Sequence, residues 1–219
     1  MIPARGLSAP SEAPGQRLRP AYDFWHNEQA RAATTPGVAM ATIRPNGKKF
    51  RELILYITIR CAGDPIFDKI KLNRILFYSD FLAYFRTGRP ITGQKYRRLP
   101  DGPGASGLEK TLEEMMREGD VAFRCERKLG PRQERVLALR EPDLRRFSGQ
   151  HLAIVDHVIS LLRDRSHMGV SQISHLDIGW QLARDEETIP YETVFLSNRP
   201  LTAAELEYGR RLAAELGRS

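Results

Sequence analysis

The sequence predicts a mainly α (α+β) fold: a compact helical domain with a small β-hairpin or sheet, preceded by a disordered N-terminal tail. Three observations lead there. Apolar residues recur at helical spacing through most of the chain after position 46. One segment, "VAFRCERKLGPRQERVLAL", reads as two strands hinged at Gly130 and Pro131. The first 45 residues hold six of the fourteen prolines, and their aromatics gather only in "YDFW". Such a segment buries too little to offset the entropy of ordering, so residues 1–45 are expected to be a disordered tail and 46–219 the folded domain. Met40, just before "ATIRPNGKKF", is a second candidate start beside Met1, and Tyr22, Phe24 and Trp25 form a candidate docking motif within the tail.

The elements follow in order. "KKFRELILYITIRC" reads as a helix, with Ile57, Thr58 and Ile59 keeping a strand open as the alternative, and "AGDP" ends it. Asp68 is a good N-cap for "KIKLNRILFYSDFLAYFRT", which Gly88 stops and Pro90 cannot continue. Leu72, Ile75, Leu76, Ser79, Leu82 and Ala83 share one face of that helix, and Phe77, Phe81, Tyr84 and Phe85 fill the next. A helix apolar over so much of its girth belongs in the middle of a core. A second helix is expected from about Pro103 to Glu118, then the hairpin, then a long helix capped by Ser148 and running to Arg165. Phe147 and Leu152 have staple spacing around that cap, and Leu152, Val155, Ile159 and Leu162 form its expected core stripe. "VSQISHLDIGWQLARD" gives one or two short helices, "TIPYETVFL" an edge strand, and "LTAAELEYGRRLAAEL" a last amphipathic helix capped by Thr202.

Composition narrows the function classes. The formal net charge is +7 over 219 residues, and the basic excess is concentrated early: Arg5, Arg17, Arg19, Arg31, Arg44, Lys48 and Lys49 outweigh Glu12, Asp23 and Glu28. The rest of the chain is only mildly basic, short of the concentrated field of a dedicated DNA binder. The longest apolar run, Leu53 to Ile59, is far too short for a membrane span, and no apolar block follows Arg5 as a leader would require. Cys61 and Cys125 form no C-x-x-C pair, which suits two reduced thiols in a cytoplasmic protein.

Gly102, Gly104 and Gly107 spell G-x-G-x-x-G, and Glu126 lies near the offset of a ribose-binding acid. Against a dinucleotide turn, the preceding "KYRRLPD" is charged where a buried parallel strand should be apolar. Pro103 also removes a backbone N–H where pyrophosphate needs donors, and no series of strand–helix alternations follows. The loop from Gly88 to Pro103 is therefore expected to turn the chain stiffly between two core helices, with Pro103 in the first turn of the second. No cofactor is expected.

At these residues the chain resembles the Panacea domain, the family of SocA-like antitoxins. The resemblance rests on "KLNRILFYSDFLAYFRTGRPITGQKYRRLPDGP": Lys71, Leu72, Leu76, Phe77, Tyr78 and Asp80 in the helix, then Gly88, Pro90, Ile91, Thr92, Gly93, Tyr96, Gly102 and Pro103. His175 and Trp180 match the family's later "H…W" element, and coverage runs from about residue 50 to about 197. Gly104 and Ala105 depart from the pattern, in which a hydrophobic residue usually follows the Gly-Pro pair. The resemblance implies a protein without enzymatic activity that neutralises a cognate toxin by direct contact. It also implies a ClpXP-type protease as a further partner where a member acts as an adaptor. Tyr78, Asp80, Gly88, Pro90, Thr92, Gly93, Tyr96, Gly102, Pro103, His175 and Trp180 are then the candidate partner-binding or scaffold residues, with most of them expected to be structural.

Other chemistries find little footing in the residues. His151 and His157 are six apart and so face different ways on a helix, and no H-E-x-x-H occurs. Ser171 and Ser174 lack a nucleophile-elbow context. "QISHLDIGWQLARD" has the length of part of a helix-turn-helix, which keeps regulation of its own operon as the second reading. A recognition helix should begin with several basic or amide groups, however, and this one offers Gln172, then Asp177, with Arg184 at the far end.

Overall fold

The computed structural model describes residues 43–126, 133–163 and 165–196, with 206–208, 210–211 and 214. The expected disordered tail, the hinge at Gly130 and Pro131, and the Thr202 cap lie outside them; residues 206–208 and 210–211 are helical, as the last segment predicts.

Helix α1 (Gly47–Arg60) begins where the Asn46 side chain accepts the Lys49 N–H at 3.0 Å. Its apolar face (Phe50, Leu53, Ile54, Leu55 and Ile57) is buried, so the helical reading prevails over the strand. The "AGDP" break is held from outside: the Arg135 guanidinium donates to the carbonyls of Ala62 (2.6 Å), Asp64 (2.8 Å) and Cys61 (3.2 Å). Helix α2 (Lys69–Thr87) opens on the Asp68 cap and closes on Gly88, whose φ of 71° lets its N–H return to Tyr84 O at 2.7 Å. Both ends fall where the sequence places them. At its start Lys71, only 2% exposed, pairs with Asp64 at 2.8 Å and donates to Arg163 O at 2.9 Å. A buried ion pair is costly to break because the surviving charge has no solvent.

Helix α2 lies at the centre of the core, packed against α1 and several later elements. After it come strands β1 (Tyr96–Leu99) and β2 (Gly102–Ala105), then α3 (Leu108–Arg117). The expected helix from Pro103 thus begins five residues later, and the loop is instead a β-hairpin turning at Pro100 and Asp101. Pro103 sits opposite Arg98 on the edge strand β2, not in a first helical turn. Since Ser106 N–H bonds Lys95 O, alternation along the ladder puts the Arg98–Pro103 pair at a non-hydrogen-bonded position, where the missing N–H costs nothing.

Strands β3 (Val121–Glu126) and β4 (Gln133–Ala138) form the expected antiparallel hairpin. Arg51, Glu118, Asp120, Arg140 and Glu52 make a charge network that ties α1 to the ends of this hairpin. Helix α4 (Gly149–Leu162) is capped by Ser148, with the His151 ring accepting the Ser148 N–H at 3.3 Å in place of the usual acid. It ends three residues before Arg165, and its buried face is Ile154, Val155, Val158, Ile159 and Leu162, with Leu152 only half buried. Two short helices follow, α5 (His167–His175) and α6 (Ile178–Leu182). In "TIPYETVFL" only Thr188–Ile189 is a strand, β5, paired antiparallel with β1 in the order β2-β1-β5; Tyr191–Phe195 is a 3₁₀ turn. Among the described residues no helix is long and apolar enough to cross a membrane.

Candidate functional site

The family-pattern residues assemble around two centres, one buried and one open. The buried one starts from Asp80, which α2 carries into the core at 0% exposure. Its Oδ1 accepts the Thr92 N–H at 2.7 Å; its Oδ2 accepts the Thr92 hydroxyl and the Tyr96 hydroxyl (2.9 Å), with Tyr191 Oη at 3.3 Å. Tyr191 also donates to Gln94 O at 2.7 Å. Burial pushes the Asp80 carboxyl above its ordinary range, and the donors from Thr92 and Tyr96 pull it back. Burial likewise raises the Tyr96 and Tyr191 phenols, with the Asp80 charge adding to the effect, so both keep their protons to donate.

Thr92 passes this anchorage outward. Its carbonyl accepts the Asn46 N–H at 2.8 Å, joining the turn after α2 to the start of α1. Next to it Gly93 has φ 69°, and a Cβ there would lie 2.7 Å from Arg44 O, so no larger residue fits. Asp80, Thr92 and Gly93 are therefore one device: a buried carboxylate that sets the course of the turn from which Arg89 projects.

The second half of the pattern clasps the β1–β2 hairpin by its carbonyls. Arg74, buried at 2% exposure, donates to Asp101 O and Pro103 O, and Asn73 Oδ1 accepts the Ala105 N–H at 2.8 Å. Burial lowers the Arg74 guanidinium to about 10, still protonated at neutral pH. From the other side Trp180 Nε1 donates to Leu99 O at 3.0 Å, and His175 Nε2 lies 3.2 Å from Pro100 O, a contact that requires the proton on Nε2. The His175 and Trp180 rings stack at 4.4 Å, and Arg98 Cζ lies 4.4 Å from the Trp180 ring. Asp177 caps α6 through the Trp180 N–H at 2.9 Å; burial pushes its carboxyl up to about 6. Tyr78 is half buried, with its hydroxyl turned inward to meet Ser174 near Asp177, and burial raises its phenol.

The glycines of G-x-G-x-x-G answer to this clasp. Gly102 has φ 118°, and a Cβ there would lie 2.7 Å from both Arg74 and Ser174. At Gly104 a Cβ would collide with Leu99, and Gly107 starts α3 at φ 79°. Two of the three glycines thus lie in an edge strand whose surroundings are filled by side chains. The departure at Gly104 is explained by the same crowding.

The open centre is a cleft of about 340 Å³ between the α1 entry and the turn after α2. Gly88, Pro90, Thr92 and Gly93 line it, together with Arg44, Lys49 and Arg89. No carboxylate among the described residues pairs with any of those three cations.

Of the predicted residues, Asp80, Thr92, Gly93 and Tyr96 meet at the buried centre. Gly102, Pro103, His175 and Trp180 meet at the clasp, which Tyr78 adjoins. Gly88 and Pro90 border the cleft. Sequence reasoning missed Arg74, Asn73 and Tyr191, and with them the three cations. The available signal for Arg74 was a charged residue beside the most apolar stripe of α2, a position that demands buried acceptors.

The same stretch carries the relationship to known proteins. The family model for "Antitoxin SocA-like, Panacea domain" matches residues 72–181, just over half of the chain, from the start of the α2 motif through the α6 tryptophan. No curated protein and no solved structure matches. With the Asp80 anchor, the Gly88–Gly93 turn and most of the hairpin clasp inside the matched span, the chain belongs to the SocA-like antitoxin family of Panacea domains.

Proposed function

We propose that the protein is an antitoxin that neutralises a cognate toxin by direct protein–protein contact and carries out no chemistry itself. Family membership over residues 72–181 is the observation that carries this reading. The site geometry is consistent with it: the buried charged groups of the Asp80 centre and the clasp, Asp80, Arg74 and Asp177, are engaged in holding backbone, as in a scaffold. Delivery of the toxin to a ClpXP-type protease is a further step that membership suggests.

Operator binding is the weaker reading. Helix α6 has five residues, and the indole on it is turned onto Leu99 O, leaving little to enter a groove. The deciding experiment is coexpression with the neighbouring gene. That gene alone should arrest growth, this chain should restore it, and the two products should co-purify. A neighbour harmless by itself, or rescue without association, would overturn the proposal. Salt-sensitive retention of promoter DNA would favour the regulator.

A further inference from the structure

We infer that the cleft beside the Gly88–Gly93 turn is a docking site for an acidic segment of a protein partner, an inference that rests on the antitoxin reading for the partner's identity. Three features of the cleft point there. First, its charge has one sign. Arg44 comes from the entry to α1, Lys49 from the first turn of α1, and Arg89 from the turn after α2; no carboxylate lines the space. Several surface cations elsewhere are answered, as Arg51 is by Glu118 and Asp120, Arg60 by Asp156, and Lys69 by Glu109 and Glu134; what sets the cleft apart is that three cations share one concave space.

Second, the helix start adds to it. The first turn of α1 carries Lys48 and Lys49 and no acid, so the positive end of the helix dipole reinforces the charge beside the cleft. Third, the cations stand on rigid ground. Arg44 O is in close approach to Gly93, Asn46 is bonded to Thr92, and Thr92 is bonded to the buried Asp80. Exposed arginines on an anchored frame lose less entropy on meeting a carboxylate, which their planar forks match in shape.

The dimensions favour a peptide over nucleic acid. A cleft of about 340 Å³ takes roughly one or two side chains, with half-buried Ile43 and Pro90 offering apolar contact beside the charge. Duplex DNA is instead tracked by a basic stripe that follows successive phosphates.

The test uses the full-length protein and fluorescence anisotropy with a fluorescein-labelled hexaglutamate peptide. Binding should weaken roughly ten-fold in the Arg44→Gln/Arg89→Gln double variant, since exposed ion pairs contribute modestly each. The Lys110→Gln/Arg117→Gln variant, with the same loss of charge on α3, should bind as the unaltered protein does. Both arginines are exposed, so the melting temperature should be unchanged; Arg44→Glu/Arg89→Glu should abolish binding without unfolding. Equal weakening by both Gln pairs, no binding at all, or loss of short duplex DNA in place of peptide would overturn the inference. Coexpression separates it from the antitoxin reading. If the unaltered chain protects cells and the Glu pair protects equally, the cleft assignment falls and the antitoxin reading stands. If the unaltered chain gives no protection, the antitoxin reading falls and the peptide titration judges the cleft.

Discussion

The hairpin clasp and the cleft lie close together in the sequence and handle polar groups in opposite ways. At the clasp, the carbonyls of Leu99, Pro100, Asp101 and Pro103 are each met by a side chain of the same molecule, from Trp180, His175 and Arg74. At the cleft, Arg44, Lys49 and Arg89 line open space with no carboxylate among them. Satisfied groups mark a region that must hold its shape, because unpaired buried partners are costly. Lys49 stands over the Phe147 ring, but Arg44 and Arg89 are exposed, and charge in solvent without a carboxylate partner marks a region free to meet something else. The motif thus joins a lock to a surface, and Asp80 bridges the two through Thr92.

Breaking the lock should have the largest effect. Asp80→Ala would strand the Thr92 N–H and the Tyr96 hydroxyl in the core, and should cost about 3–5 kcal/mol in urea unfolding. A loss under about 1 kcal/mol would show that Asp80 is not the anchor. Gly102→Ala comes next, at about 2–4 kcal/mol, because strained φ and collision with Arg74 act together. Gly107→Ala shares the positive φ but meets open space, and should cost only about 1–2 kcal/mol. Equal losses would mean that the Arg74 contact adds nothing.

Asp177 sharpens the contrast through pH. Its folded pKa of about 6 lies above the unfolded value near 3.8, so the protonated form favours the folded state. That contribution is complete below about pH 4 and is lost as pH rises through about 6. Asn keeps the cap without the charge. Asp177→Asn should therefore gain stability relative to the unaltered protein between about pH 4 and 7, by on the order of 2–3 kcal/mol. Urea midpoints that move in parallel across that range would refute it. The smallest effect belongs to the cleft: Arg89→Ala should change stability by less than about 0.5 kcal/mol, since its side chain is exposed. A clear loss would place Arg89 in the fold rather than on a binding face.

The parts legible beforehand were those decided by neighbours in the chain. Asp68 and Gly88 bound α2 because a cap and a left-handed stop act within one turn, and Ser148 starts α4 for the same reason. The β3–β4 hairpin followed from its alternation. Strand β2 was hidden, because "GPGA" has neither β-branched residues nor alternation, and Pro103 read as a helix start. What makes it a strand is Arg74 and Asn73 reaching across from α2, with β1 on its other side. The fold brings the candidate residues to a few neighbouring places, yet the partners that hold His175 and Trp180 lie some eighty positions away.

From the sequence alone came the family, the central apolar helix and the punctuation at its ends, all consequences of side-chain periodicity and of backbone rules local to a few residues. Only the tertiary structure decided that the glycine-rich stretch is an edge strand clasped by its carbonyls, and that three scattered cations converge on one cleft. Hydrogen bonds and charge act through space, so groups distant in the chain meet only once the core has placed them.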